Sequence, residues 1–239
     1  MVGVTNEGWH RTADGVKLFK KSWRPINPAS ASIVFLHGFS DHCVRFTDLF
    51  QNLVASGIEV HAFDQRGWGR SVTQISERGM TGPTSQVLKD ITGFLESLLS
   101  SPIPLFVMGH SMGGQEIVSR LDPKYMCRDE TTRSLWSADE LCYDTGTLEG
   151  IVGMLDRAKE LQAGLPEIRD WEGLSIASFH GTGDVVCECK DTEKYLEDLP
   201  VKDKKLFVYQ GVYHCIHLEP EEDKRRFTED AATWILGRS

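Results

Sequence analysis

Five short apolar runs recur through this chain, and each gives way to a turn that contains glycine. They are "SIVFLHG" (32–38), "IEVHAFDQRG" (58–67), "PLFVMGH" (104–110), "LSIASFHGTGD" (174–184) and "KKLFVYQG" (204–211). Runs of this length and character are those of strands buried on both faces, as in a parallel sheet. Between them lie stretches of helical period. "RFTDLFQNLVASG" spaces Phe46, Leu49, Phe50, Leu53 and Val54 along one face and ends on Gly57, a residue suited to the left-handed helix stop. "QVLKDITGFLESLLS" does the same with Val87, Ile91, Phe94, Leu95 and Leu98, while "TEKYLEDL" and "EDKRRFTEDAATWIL" complete the alternation. At the front, "EGWHRTADG" and "KLFKKSWRP" read as antiparallel strands joined at Asp14-Gly15. Strand and helix in turn predict an α/β fold, a doubly wound and mostly parallel sheet. The 239 residues suffice for a single domain, 1–239, with its core over about 1–120 and 170–239.

Charge narrows the function classes. Acidic residues outnumber basic ones by 35 to 26, for a formal charge of −9, which excludes the basic footprint that nucleic acid requires. No apolar stretch has the length of a membrane span or of a signal peptide, and Asn6, Asn27 and Asn52 form no glycosylation sequon. A cytoplasmic location is expected. The six cysteines are read as reduced thiols. Cys187 and Cys189 lie near His180 and Asp184, but their one-residue spacing is not a zinc pattern. The glycines of "QRGWGRS" match neither nucleotide-binding motif.

The motif that carries chemistry is Gly109-His110-Ser111-Met112-Gly113. G-x-S-x-G between a strand and a helix sets the serine on a sharp turn with its Oγ exposed, and Gly109 and Gly113 give that turn room. A serine nucleophile needs a base and a group to orient the base. In folds with this turn they follow in the order Ser, Asp, His, each just past a strand. Asp184 and His214 stand at such positions. His217 is the rival base, and Asp191 the rival acid, although Asp191 opens a helix where N-capping is its plain role. His180 reads as a core histidine and His110 as structural. Backbone N–H groups of Phe39 and Met112 are the candidate oxyanion donors.

At this point the residues resemble a known family. "FLHGFSDHCVRFTDLFQNLVASGIEVHAFDQRGWGRS", "GHSMGG", "DTGTLEGIVGMLDRAKEL", "HGTGDVVC" and "GVYHCIHLEPEE" are similar to the monoacylglycerol lipase family of α/β hydrolases. The resemblance implies hydrolysis of monoacylglycerol to fatty acid and glycerol by Ser111, Asp184 and His214, without metal or organic cofactor. It also implies peripheral contact with membranes or lipid droplets. Cys187, three residues after the acid, matches a thiol near the site in some relatives. A related carboxylesterase or lysophospholipase is the alternative within enzymes.

One part of the pattern is missing. Relatives continue from the serine helix into another buried strand and then an apolar lid. Here "SRLDPKYMCRDETTRSLWSADELCYD" contains no run of β-branched residues, and "PKYMCRDE" already resembles the second half of a lid. The lid is therefore expected to be short, about 121–169. In "TLEGIVGMLDRAKELQAGL", Leu148, Ile151, Val152, Leu155 and Ala158 form an apolar stripe, with Thr147 as N-cap. Two outcomes follow for the sheet. The acid-bearing strand slides into the empty place and moves Asp184 by ~4.8 Å, or the place stays open and two strand edges lack partners. Either outcome bears on catalysis, which makes a hydrolase-like protein that binds lipid or a partner the reading from a different class.

Overall fold

The computed structural model describes residues 3–111, 125–142, 146–163 and 174–239. These residues form seven strands and six α-helices, in two compact units. The first unit draws on Met1–Met112, Asp139–Gly153 and Ala231–Ser239, and the second on Gly113–Ala138 and Met154–Asp230.

The first unit is built on a five-stranded sheet. Strands β1 (Gly3–Arg11) and β2 (Lys17–Pro25) form the expected hairpin, in register from Gly3 opposite Pro25 to Arg11 opposite Lys17. Gly15 takes a φ of 88° at its turn. β2 pairs antiparallel with β4 (Ile58–Phe63), and β3 (Ala31–Leu36) lies parallel between β4 and β5 (Leu105–Gly109). The spatial order is β1-β2-β4-β3-β5.

The continuous apolar run of β3 is explained by cover on both faces. On one side Phe35 meets Phe46 and Phe50, the latter on α1 (Thr47–Ala55), with ring centroids 4.5 and 5.0 Å apart, and Trp23 closes the cluster 4.6 Å from Phe50. On the other, Val34 packs with Leu18, Phe63 and Phe94, and Ile91, Leu95 and Leu98 cover that group from α2 (Thr84–Glu96) and the turn that follows it. Helix α1 stops where the sequence says, at Ser56 followed by Gly57 with φ 84°.

The second unit holds a parallel pair, β6 (Ser175–Gly181) and β7 (Asp203–Tyr209), in register from Ser175 opposite Asp203 to Gly181 opposite Tyr209. Phe227, on α6 (Glu221–Leu236), packs edge-on against Phe179 and Tyr209, and Leu196 of α5 (Cys189–Asp198) is buried. Helix α5 starts three residues before the expected "TEKYLEDL", with Glu188 at its N-cap. Asp191 therefore lies in its first turn and does not cap it.

Helix α3 (Glu130–Ala138) has no counterpart in the sequence reading. Its signal was present: the Asp129 carboxylate accepts the Thr132 N–H at 2.7 Å, which is N-cap geometry. Helix α4 (Leu148–Gln162) is the expected lid helix, and Thr147 caps it by accepting the Gly150 N–H at 3.1 Å. Of its apolar stripe, Val152 is 52% exposed and Leu155 half-buried. The side chains of Leu148, Ile151 and Ala158 lie outside the described residues.

Among the described residues neither β5 nor β6 has a further strand partner. β5 pairs with β3 alone and β6 with β7 alone. Neither run carries the lysines or internal proline with which natural edge strands discourage pairing. Val107 in β5 is 56% exposed.

Two measurements check this account. Phe35→Ala removes a ring packed on two others and should cost about 3–5 kcal/mol, read from the urea midpoint. Val107→Lys should change stability by no more than about 0.5 kcal/mol while delaying the onset of light scattering on heating. An unchanged onset would mean that β5 does not template association.

Candidate active site

In the first unit β5 runs into His110 and Ser111. Ser111 has a φ of 60°, one of two non-glycine residues with positive φ among those described. A left-handed serine costs roughly 1–2 kcal/mol, and such strain gathers at functional turns. Gly38 lies opposite: a Cβ there would stand 3.0 Å from the Ser111 Cβ and 3.2 Å from the His110 carbonyl oxygen, so a larger residue would crowd the turn by a few tenths of an ångström. The His110 N–H donates to the Leu36 carbonyl at 3.0 Å, and its ring packs edge-on against Phe46, in keeping with a structural role. Met112 and Gly113 lie outside the described residues.

The loop after β3, which carries Phe39, is fastened to the loop after β4. The buried imidazole of His37 donates from Nδ1 to the Gly38 carbonyl, 2.8 Å away, and accepts the Gln65 N–H at Nε2, 2.9 Å away. The Gln65 amide returns a bond to the His37 carbonyl at 2.7 Å. Burial lowers the pKa of His37, so the ring is held neutral in one tautomer. Asp64, also buried, accepts the Cys43 N–H at 2.8 Å and the Arg70 N–H at 2.7 Å. Phe39 rests edge-on against Trp68, with ring centroids 4.9 Å apart.

In the second unit Asp184 and His214 come together, with Asp184 Oδ2 2.9 Å from His214 Nδ1. The acid's other oxygen accepts the N–H groups of Val186 and Cys187 at 2.8 and 3.0 Å. Burial pushes the Asp184 pKa up, but the hydrogen bonds from His180, His214 and the Cys187 N–H outweigh it and hold the group well below the usual carboxylate range. For His214 burial favours the neutral ring, and the Asp184 carboxylate, helped by the Cys187 side chain, overrides it, raising the pKa above that of an ordinary histidine. The carboxylate on Nδ1 fixes that nitrogen as a donor and makes Nε2 the nitrogen that can accept a proton.

Small residues let the two loops close on each other. A Cβ on Gly181 would sit 2.1 Å from the Val212 carbonyl oxygen. The Gly183 N–H donates to that same oxygen at 2.9 Å, and the Thr182 hydroxyl accepts the Gly211 N–H at 2.8 Å.

Two supports of the His214 loop lie outside the sequence reading. Glu219, buried, accepts the Tyr213 N–H at 2.8 Å and the Arg128 guanidinium at 2.6 Å. The Met126 carbonyl accepts the Cys215 N–H at 2.7 Å. An acid in "HLEPEE" and an arginine in "PKYMCRDE" carry no signal until the chain is folded. His180 was read as a core histidine, and it also reaches Asp184, at 3.3 Å. The rival base His217 is buried in a short 3-10 turn, Ile216–Leu218, and the ring that reaches the acid at 2.9 Å is that of His214.

Among the described residues two groups place three potential metal ligands within 4.8 Å of one another. In the first, Asp184, Cys187 and His214, both carboxylate oxygens already accept hydrogen bonds. In the second, His42 Nε2 is 2.9 Å from the Asp139 carboxylate, and Asp139's other oxygen accepts the Leu141 N–H. Cys142 lies 4.0 Å from Asp41, which is paired to Arg45 at 2.7 Å. A guanidinium beside the second group disfavours a cation, and both groups are accounted for as hydrogen-bonded struts.

Comparison with known proteins gives the family. The family model described as serine aminopeptidase, S33, matches residues 27–119 and 115–221. Rat monoglyceride lipase is 23% identical over 276 aligned positions that cover 95% of this chain and 89% of the rat protein. An alignment longer than the 239 residues here means that the relative carries segments this chain lacks. Among solved structures, a soluble variant of monoglyceride lipase from Saccharomyces cerevisiae, in complex with a substrate analog, superposes with a TM-score of 0.90 at 23% identity, over 99% of this chain and 95% of that one. A monoacylglycerol lipase from Paleococcus ferrophilus follows at 0.76 and 22%, over 93% and 99%. With the family model matched over most of its length, the chain belongs to the serine aminopeptidase S33 family and is a serine hydrolase of the α/β-hydrolase fold.

Proposed function

We infer that this ester hydrolase acts on lipid esters, and on monoacylglycerol in particular, releasing fatty acid and glycerol. The observation that carries the reading is the left-handed backbone of Ser111 at the end of β5, a conformation that a serine adopts at a cost and that turns its Oγ out of the sheet. His214 takes the Ser111 proton on Nε2 as Oγ bonds to the ester carbonyl carbon. Asp184 holds the ring and stabilises the imidazolium, and the backbone N–H groups of Phe39 and Met112 receive the oxyanion. Collapse of the tetrahedral intermediate breaks the bond to glycerol, which leaves with the proton from Nε2. Water then repeats the sequence on the acyl-enzyme, and fatty acid departs. No metal or organic cofactor takes part.

Helix α4, with Val152 exposed, is the proposed contact with acyl chains and with the surface of a membrane or lipid droplet, reached from the cytoplasm. No helix among the described residues is long and apolar enough to cross a membrane. A second reading, binding of lipid or a partner without turnover, is favoured by the lack of a further strand partner for β5 and β6 among the described residues.

Covalent labelling by a fluorophosphonate separates the two. Wild-type protein should take the label and turn over monoacylglycerol. Ser111→Ala should lose the label, with turnover falling about 10⁶-fold, to the floor of the assay. A cooperatively folded wild type that takes no label would leave the binding reading.

The pH profile tests the acid. With the His214 pKa raised by its carboxylate, turnover should climb with pH through a limb lying above the ordinary histidine value of about 6.5. Asp184→Asn removes the charge that stabilises the imidazolium. It should lower kcat about 10⁴-fold and move that limb to lower pH. A limb that stays in place would show that Asp184 does not govern the base.

A further inference from the structure

Asp184 is held by two imidazoles. The ring of His180, at the end of β6, points its Nε2 at two acceptors, the Cys187 carbonyl at 2.9 Å and Asp184 Oδ2 at 3.3 Å. Neither acceptor can donate a proton, so Nε2 must carry one. In the neutral ring Nδ1 is then the acceptor, and the Thr192 hydroxyl on α5 supplies its proton at 2.9 Å. The tautomer is thus set from both sides. The charged and titratable groups that meet His180 are Asp184 and His214, and those that meet His214 are Asp184, the Cys187 thiol and His180.

We propose that His180 is a positioning residue for the catalytic acid: it donates its Nε2–H to the carboxylate oxygen that also receives His214, aligning Asp184 and limiting how tightly that acid holds the imidazolium. The proposal rests on the reading of Asp184 and His214 as acid and base, and two features of the geometry argue for it. With His180 in place Asp184 accepts three hydrogen bonds, two backbone N–H groups on Oδ1 and the His214 ring on Oδ2, and the His180 Nε2 stands 3.3 Å from that same Oδ2, so both oxygens are engaged. And an oxygen shared between two donors is a weaker acceptor for each than an oxygen reserved for one. His180 also ties the acid loop to α5 through Cys187 and Thr192, fixing the far side of the loop whose near side is sewn to the His214 loop.

Sharing has a sign that simple packing does not. Removing the His180 donor leaves Oδ2 more basic and wholly available to His214, which raises the pKa of His214. A histidine that only packed the loop would, on removal, let Asp184 drift, and the buried His214 would lose its counter-charge and titrate lower.

The experiment is an NMR titration of His214 in histidine-labelled protein on a Ser111→Ala background, with kcat/KM against pH on a soluble ester for the same His180 variants carrying Ser111. In His180→Leu the His214 pKa should rise by about half a unit to one unit, the acid limb of kcat/KM should follow it to higher pH, and the high-pH plateau should fall only a few-fold. His180→Gln, whose amide reaches the Nε2 position, should restore the wild-type titration. His180→Asn, too short to reach, should behave as Leu does and replaces it if the apolar variant does not fold. A His214 pKa that stays put or falls in the Leu and Asn variants overturns the proposal. Absence of turnover in the wild type, with the NMR shift intact, would instead strike the esterase reading and leave the role of His180 in place.

Discussion

The backbone at Ser111 is the constraint around which the first unit is arranged. A serine keeps a φ of 60° only where its surroundings allow nothing else, and the restraints can be followed outward. Behind it, β5 is locked in register with β3, from Ser32 opposite Leu105 to Leu36 opposite Gly109. In front, Gly38 leaves a space that a single methyl group would close. Gly38 is fixed in turn because the His37 ring clasps the backbone of Gln65, and the loop of Gln65 is fixed because Asp64 binds the backbone of Cys43 and Arg70. These clasps are buried and neutral or hydrogen-bonded throughout, so they are strong where water cannot compete.

The second unit solves a different problem, keeping a carboxylate charged while it is largely removed from water. An ion so placed is tolerated only when its lone pairs are satisfied. Asp184 meets that demand with donors on both oxygens, and the close approach of Gly181 to the Val212 carbonyl brings the base loop near enough to provide one of them. Glu219 repeats the arrangement one layer out, a buried acid satisfied by Arg128 and the Tyr213 N–H. One acid thus holds the backbone of Tyr213, next to His214, and another holds the His214 ring.

What could be read in the sequence was whatever local pattern fixes. The strands, the hairpin turn at Gly15, the stop of α1 at Gly57 and the cap of α4 at Thr147 each follow from a few adjacent residues. The elbow at Ser111 was legible for the same reason, since strand, glycine and serine are contiguous. Contacts that join distant segments were not. Nothing in "HGTGDVVC" says that His180 faces the acid four residues on, because alternation along a strand predicts only which side a residue takes, and the turn after Gly181 decides the rest. Helix α3 escaped because its cap at Asp129 precedes the mixed polar run "ETTRSLWSA", without a strong apolar stripe.

The missing strand gains its meaning from where the restraints lie. Those on Ser111 come from β3, β5 and the loops after β3 and β4, all within the first unit. Those on Asp184 and His214 come from β6, β7, α5 and the segments around Arg128 and Glu219, all within the second. In chain order no described strand lies between β5 and β6, and neither set of contacts draws on one. The hydrogen bonds named here at Ser111, Asp184 and His214 therefore do not depend on a strand at that point. Edge strands with apolar sequence are a liability for association, whereas the local geometry of Ser111, Asp184 and His214 is a matter of turns and loops at strand ends.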